Sequence, residues 1–126
     1  VEARGTYKGE QLTQVVTHYH GKTTHAIGIM NYDNGVFEEV LEVMRSGEKW
    51  IVRNMDSVEH YHHDTQHLVT RSNWEPTLTK RGFEAMITHF LNGVRTGQPF
   101  DPSSRDSLET HRVCELIVKQ LEKNRI

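Results

Sequence analysis

Thr77-Leu78-Thr79-Lys80-Arg81-Gly82-Phe83-Glu84-Ala85-Met86-Ile87-Thr88-His89-Phe90-Leu91-Asn92-Gly93-Val94-Arg95-Thr96-Gly97-Gln98-Pro99 is the stretch that decides how this chain is organised. Within it Phe83, Met86, Ile87, Phe90, Leu91 and Val94 recur at offsets of 0, 3, 4, 7, 8 and 11, one face of a helix of period 3.6. Gly97 stands where a left-handed C-terminal cap would sit, and Pro99 cannot prolong a helix. One helix opening at Thr77 and stopping at Gly97-Gln98-Pro99 is therefore expected. Just beyond, Asp101-Pro102-Ser103-Ser104-Arg105-Asp106 offers capping oxygens, a proline suited to a first turn and an acid near the positive end of the dipole. A second helix follows, striped by Val113, Cys114, Ile117, Val118 and Leu121, with Lys119 and Lys123 in its last turns. Both stripes need a surface to pack on, because each large apolar side chain gains about 1.5–3 kcal/mol on full burial.

The preceding residues supply that surface as strands. Lys8-Gly9, His20-Gly21, Asn34-Gly35 and Ser46-Gly47 are turn signals at short intervals, and Val, Ile, Thr, Tyr and Phe are frequent between them. Strands are predicted over Val1–Tyr7, Gln11–Tyr19, Thr24–Tyr32, Val36–Arg45 and Lys49–Met55. Connections this short join antiparallel neighbours, so a five-stranded meander is expected, with Asn34-Gly35 as its strongest type I′ hairpin turn. Glu59–Asp64 and Gln66–Arg71 form a further edge hairpin. Strands first and helices afterwards is the α+β order: a predominantly antiparallel, open-faced sheet with two C-terminal helices on one face. Several strands are apolar on both sides, as in Phe37, Leu41 and Val43 against Val36, Val40 and Met44. Two helices cover one face, so the other is expected to meet a second subunit or domain, the alternative being a half-solvated sheet with scattered apolar residues.

The chain has 126 residues, a net charge of −2 and 25% charged side chains, which fits one domain and gives no basic field for nucleic acid or an anionic membrane. No apolar run approaches the roughly 18 residues of a membrane span, and no signal-peptide pattern opens the chain. Cys114, the single cysteine, excludes a disulfide within the chain and suits a reducing, cytoplasmic setting. Val1-Glu2-Ala3-Arg4 reads as the middle of an extended segment, so a fragment is expected.

Nine histidines invite a search for metal ligands. In Glu59-His60-Tyr61-His62-His63-Asp64, strand alternation would turn His60, His62 and Asp64 to one side, as a His-x-His ligand pair requires. No third and fourth ligand stands at a recognised spacing, although His18, His20 or His25 could join through space. Imidazoles on a solvated edge ribbon account for the same residues. Cys114 lies three residues after His111, near it on a helix, but its apolar neighbours predict core packing in place of an activated thiolate. Glu38, Glu39 and Glu42 include a same-face pair that could serve acid–base work or line a solvated strand edge. There is no Gly-x-Ser-x-Gly elbow, Gly-x-Gly-x-x-Gly loop or Walker-type loop.

From Leu78 to Leu91, then through Gly97-Gln98-Pro99 and Ser107-Leu108-Glu109-Thr110, the sequence resembles the C-terminal domain of the glucose–fructose oxidoreductase, inositol dehydrogenase and MocA oxidoreductase family. It is nearest to the virulence factor MviM-like branch, where an Arg-Gly-Phe also opens the first helix. The resemblance implies an NAD(P)-dependent oxidoreductase (dehydrogenase) of a sugar or polyol-like alcohol, built from a Rossmann domain followed by this domain. Residues 1–126 would then be its substrate and oligomerisation domain, with the parent chain's Rossmann domain, a small-molecule substrate and a second copy on the open sheet face as partners. In that family the dinucleotide loop, the Glu-Lys-Pro segment with its catalytic lysine and the catalytic Asp/His helix all precede the sheet. None occurs here, and Glu48-Lys49-Trp50 is not that motif. No catalytic, cofactor-binding or metal residue is carried over to any position, NAD or NADP belongs to the parent enzyme, and the fragment alone is expected to be inactive. The alternative is a stand-alone metal- or ligand-binding α+β module using His60 and His62.

Overall fold

The computed structural model describes residues 1–100 and 103–125, with the backbone alone for Ser104. Among the described residues seven strands precede three helices: β1 (Glu2–Lys8), β2 (Gln11–His20), β3 (His25–Asn31), β4 (Val40–Arg45), β5 (Glu48–Arg53), β6 (Ser57–His62), β7 (Thr65–Thr70), α1 (Thr77–Lys80), α2 (Phe83–Thr96) and α3 (Ser104–Lys123). The expected α+β class and the antiparallel pairing are present. The single meander is not: pairing runs β1-β2-β3 in one sheet and β4-β5-β6-β7 in another. The chain forms two compact units, one of residues 1–35 with the described residues from 103 onward, the other of residues 36–100.

The physical reason for the interruption lies at residues 32–39. Asn34 and Gly35 are absent from the positive-φ residues, so the predicted type I′ turn does not form there. Asp33 N–H instead bonds Asn31 Oδ1 at 2.9 Å, a local turn that ends β3. β4 starts only at Val40 because its partner β5 ends opposite it at Arg53. Beyond Arg53, Asn54 (φ 52°) and Met55 (φ 56°) are both left-handed, and Asp56 N–H bonds Arg53 C=O at 2.9 Å. The positive-φ pair expected at Asn34-Gly35 thus occurs at Asn54-Met55. Glu39 N–H closes on Asn54 Oδ1 at 2.8 Å, which leaves Val36 and Phe37 outside the strand predicted for them.

In the first unit α3 packs on β1. Ala3, Val15 and Leu121 form the core, flanked by Leu12 and Ile117. Gly5 permits the close approach: a Cβ there would lie 2.7 Å from Leu12 Cδ1 and 2.9 Å from Leu121 Cδ2. Thr13 and Thr17 are buried too, and each hydroxyl donates to a carbonyl, of Thr6 at 3.1 Å and of Gly28 at 3.3 Å. Gln120 ties helix to strand, accepting from Ala3 N–H at 2.7 Å and donating to Val1 C=O at 2.6 Å. The predicted cap of α3 is a capping box: Asp106 N–H donates to Ser103 Oγ at 3.2 Å and Ser103 N–H to Asp106 Oδ2 at 3.1 Å. Asp101 and Pro102, also offered as capping residues, lie outside the described residues.

In the second unit the helix predicted from Thr77 is two. Gly82 adopts φ 77°, a left-handed conformation that breaks the ladder after α1, and Met86 N–H then bonds Gly82 C=O at 2.9 Å to open α2. The stop stands as expected, with Gly97 at φ 70°. Lys80 Nζ meets Asp56 Oδ1 at 2.9 Å and Arg81 meets Glu39 at 3.3 Å, tying this segment to the ends of the strands. The apolar stripe of α2 does not cover the sheet as predicted. Within its unit α2 packs on α1 and receives Phe100 against Phe90, and its stripe residues from Phe83 to Val94 remain 46–70% exposed. The two helices therefore differ: α3 lies on a strand, whereas α2 does not.

Candidate functional site

Cross-strand register decides which side chains of β4–β7 share a face. On one face Leu41, Val52, Val58 and Val69 form a row, Val43, Trp50, His60 and His67 the next, and Arg45, Glu48, His62 and Thr65 the third. The last two rows build a stack. The Arg45 guanidinium lies 5.0 Å from the centre of the Trp50 ring, and Trp50 and His60 stack at 4.7 Å and 5°. His60 is parallel to His62 at 6.3 Å, and His62 meets His63 at 4.4 Å. His63 is held in place by its backbone, at φ 49° in the β6–β7 turn with its N–H on Gly47 C=O at 3.1 Å.

Glu48 sits beneath this stack, paired with Arg45 and 3.5 Å from His60 Nε2. Partial loss of water pushes its carboxyl up, but Arg45, then His62 and His60, outweigh that and hold it below the ordinary glutamate value. The imidazole Nε2 of His60 is shielded from water without a well-directed hydrogen bond.

The opposite face mixes Val40, Met44, Ile51 and Leu68 with a polar network whose members satisfy one another. Tyr61 donates to Glu59 at 2.6 Å, Arg53 to Glu59 at 3.1 Å and Gln66 to Tyr61 at 3.0 Å. The bond from Tyr61, followed by that from Arg53, lowers the Glu59 pKa, and the same contact raises that of Tyr61. Lys49 pairs with Glu42 at 3.0 Å on this side.

His60 and His62 share a face as predicted, whereas Asp64 lies in the turn and adds no third ligand on the strand. Among the described residues no group of three or more His, Cys, Asp and Glu side chains is arranged to hold a metal ion. His18, His20 and His25 do gather, at ring separations of 6.0 and 5.8 Å with Glu2 3.6 Å from His20, but in the first sheet, a unit apart from His60. Glu38, Glu39 and Glu42 do not act together, since each faces its own cation, Arg53, Arg81 and Lys49. Cys114 corrects another expectation: it is exposed. The residues of α3 that meet β1 are Ile117, Gln120 and Leu121, and Cys114 stands two turns before Leu121. Sequence reading missed the joining of Arg45, Trp50 and His67 to the histidine pair; alternation within each strand was visible, but the register that aligns Trp50, His60 and His67 was not.

No protein-family model matches the sequence, and no curated protein matches it. Solved structures do. The chain is similar to a dehydrogenase (MviM) from Clostridium difficile, with a TM-score of 0.78 and 22% identity over 87% of this chain and 36% of that one. It is also similar to a Gfo/Idh/MocA family oxidoreductase from Vibrio cholerae, with a TM-score of 0.63 and 18% identity over 76% of this chain and 32% of that one. The chain spans about a third of the length of each. The structural neighbours are those the sequence resemblance pointed to, and the likeness is one of fold: an MviM-like, Gfo/Idh/MocA-type α+β arrangement.

Proposed function

We propose that this chain is the substrate-site and oligomerisation part of an NAD(P)-dependent oxidoreductase that acts on a sugar or polyol-like alcohol in the cytoplasm. The observation that carries the reading is the fold shared with the MviM dehydrogenase over 87% of the chain. The sequence from Leu78 to Pro99 supports it independently, because the Arg81-Gly82-Phe83 opening and the Gly97 stop are the places where the helical segment breaks. In this reading NAD or NADP and the hydride chemistry belong to residues outside these 126, the Rossmann domain of the parent chain packs beside them, and the open sheet face joins two copies. None of the side chains described above is given a catalytic role.

Titration of the 126-residue chain with NADH and NADPH, followed by nicotinamide fluorescence, tests the division of labour. No saturable binding is expected; tight binding by these residues alone would overturn it. The coding sequence upstream of Val1 is expected to continue into a strand–helix region with a glycine-rich loop and a Glu-Lys-Pro segment. An initiator methionine immediately before Val1 would remove the enzyme from the reading.

A further inference from the structure

Six asparagines stand in the chain, and two of them, Asn34 and Asn92, precede a glycine. Local sequence does not separate these two dipeptides; their backbones do. Asn34 and Gly35 lie in the bends between β3 and β4, exposed and outside both flanking strands. Neither has a positive φ, so the tight hairpin turn that would fix the pair is not formed. A Cβ built on Gly35 would have no atom within 4 Å beyond its chain neighbours, so nothing distant crowds that peptide. Asn92 and Gly93 instead lie inside α2. There Asn92 Oδ1 accepts from Arg95 Nη2 at 3.2 Å, and its C=O accepts from the Thr96 hydroxyl at 2.7 Å. Asn31, Asn54, Asn73 and Asn124 are followed by Tyr32, Met55, Trp74 and Arg125, whose side chains shield the next nitrogen. Asn31 and Asn54 also hold backbone N–H groups on their Oδ1, of Asp33 at 2.9 Å and of Glu39 at 2.8 Å.

We infer that Asn34 is a site of spontaneous backbone modification in the folded chain, and that Asn92, with the same neighbour, is protected from it. The reaction is an intramolecular attack, favoured by proximity. The Gly35 nitrogen gives up its proton to solvent base and bonds to Asn34 Cγ. The Cγ–Nδ2 bond breaks, the side-chain nitrogen leaves as ammonia, and a succinimide ring remains. Water then opens the ring. Where the bond from Cγ to the Gly35 nitrogen breaks, residue 34 becomes an aspartate. Where the bond from the main-chain carbonyl carbon to that nitrogen breaks, residue 34 becomes an isoaspartate, and the chain runs on through Cβ and Cγ. Either route consumes a water, releases an ammonia and changes no oxidation state.

Closing the ring requires the backbone to bring the following nitrogen onto the asparagine's own Cγ, and glycine has no Cβ to obstruct the approach. At Asn34 no helix or strand has to open for this. At Asn92 the residue must leave the helical φ/ψ well, which waits on local opening of α2. The product changes a boundary of the molecule, because the two compact units divide between Gly35 and Val36. It sets a carboxylate beside Asp33 in a chain whose net charge is already −2, and its iso form puts one further carbon into the main chain there.

Ageing the chain at mildly alkaline pH, with circular dichroism to establish that it stays folded, and mapping it with trypsin tests this. Trypsin separates the two sites, since residues 23–45 carry Asn34 and residues 82–95 carry Asn92. Fragment masses locate the exchange of nitrogen for oxygen. In the folded chain Asn34 is expected to lose its amide about tenfold or more faster than Asn92. In guanidinium chloride, where no helix protects Asn92, the two rates should come within about threefold. Gly35→Ala, a substitution that meets neither a positive φ nor a neighbouring atom, should slow the loss at Asn34 and leave Asn92 as it was. Transfer of a labelled methyl group by an isoaspartyl carboxyl methyltransferase should mark the aged 23–45 peptide. Equal rates at the two sites in the folded chain, or a faster loss at Asn92, overturns the inference. So does an Asn34 that survives in the folded chain and reacts in guanidinium chloride. A tenfold difference that persists in guanidinium chloride overturns the attribution to the fold, and a mass change at Asn34 without methyl labelling overturns the succinimide route.

Discussion

The two sheets of this chain are built from the same kind of strand and differ in what lies on them. β1 and β2 receive α3 and bury Ala3, Val15, Thr13, Thr17 and Leu121. In the four-stranded sheet Ile51 alone reaches that degree of burial, although β4 and its neighbours are as apolar as β2. The difference teaches that apolar alternation by itself does not make a core. A strand face becomes a core when a helix of matching stripe reaches it, and Gln120 and Gly5 are the residues that bring α3 to β1. The second sheet instead orders its face by stacking, with Arg45, Trp50, His60 and His62 in one line.

The contrast can be broken most forcefully at Leu121. Leu121→Ala should cost about 2–5 kcal/mol in denaturant unfolding, because the cavity opens between α3 and the β1–β2 pair. Next is Gln120→Ala, which leaves Ala3 N–H and Val1 C=O without their partner and should cost about 1–3 kcal/mol by the same measurement. Ser103→Ala removes the α3 cap and should cost about 1 kcal/mol, seen as lost helicity and a lower Tm.

The cap also carries a pH dependence. The Ser103 hydroxyl and backbone bonds hold the Asp106 pKa below its ordinary value. The folded value is thus the lower one, so this stabilisation is present above the unfolded aspartate's range and fades as the pH falls through the folded value. Thermal melts between neutral and acid pH should show that loss for the native chain and less of it for Ser103→Ala.

The smallest effect sharpens the comparison from the other side. Ile87→Ala, on the half-exposed stripe of α2, should change stability by less than about 0.5 kcal/mol. A cost near that of Leu121→Ala would mean that the α2 stripe is covered and that the two helices are alike.

Much of the fold was legible because it depends on local chemistry. The hairpin of β6 and β7, the Gly97 stop and the Ser103–Asp106 box each follow from a few adjacent residues whose backbone preference the tertiary structure has no reason to oppose. Asn34-Gly35 shows the limit. Its preference for a hairpin turn is real, but such a turn joins two paired strands, and the ladder of β4 begins only at Val40, opposite Arg53. Gly82 is a second case: a glycine inside a periodic stretch is compatible with a helix or a break, and here it takes the left-handed conformation. Within the candidate site, the His60–His62 pair was visible as an alternation, whereas Trp50, Arg45 and His67 joined it only through pairing.

The amino-acid sequence by itself determined the α+β order, the antiparallel pairing of near neighbours, both helical stripes and the resemblance that the solved structures meet at the level of fold. These are set by residues close in the chain, where periodicity and turn chemistry act. Only the tertiary structure decided that the strands divide into two sheets, that α3 and not α2 lies on a strand, that Cys114 is exposed, and that His60 stacks on Trp50 with His62 and His67 on the same face. Each of those depends on register and on which stripe meets which face, and a shift of one residue in a strand turns every side chain to the other side.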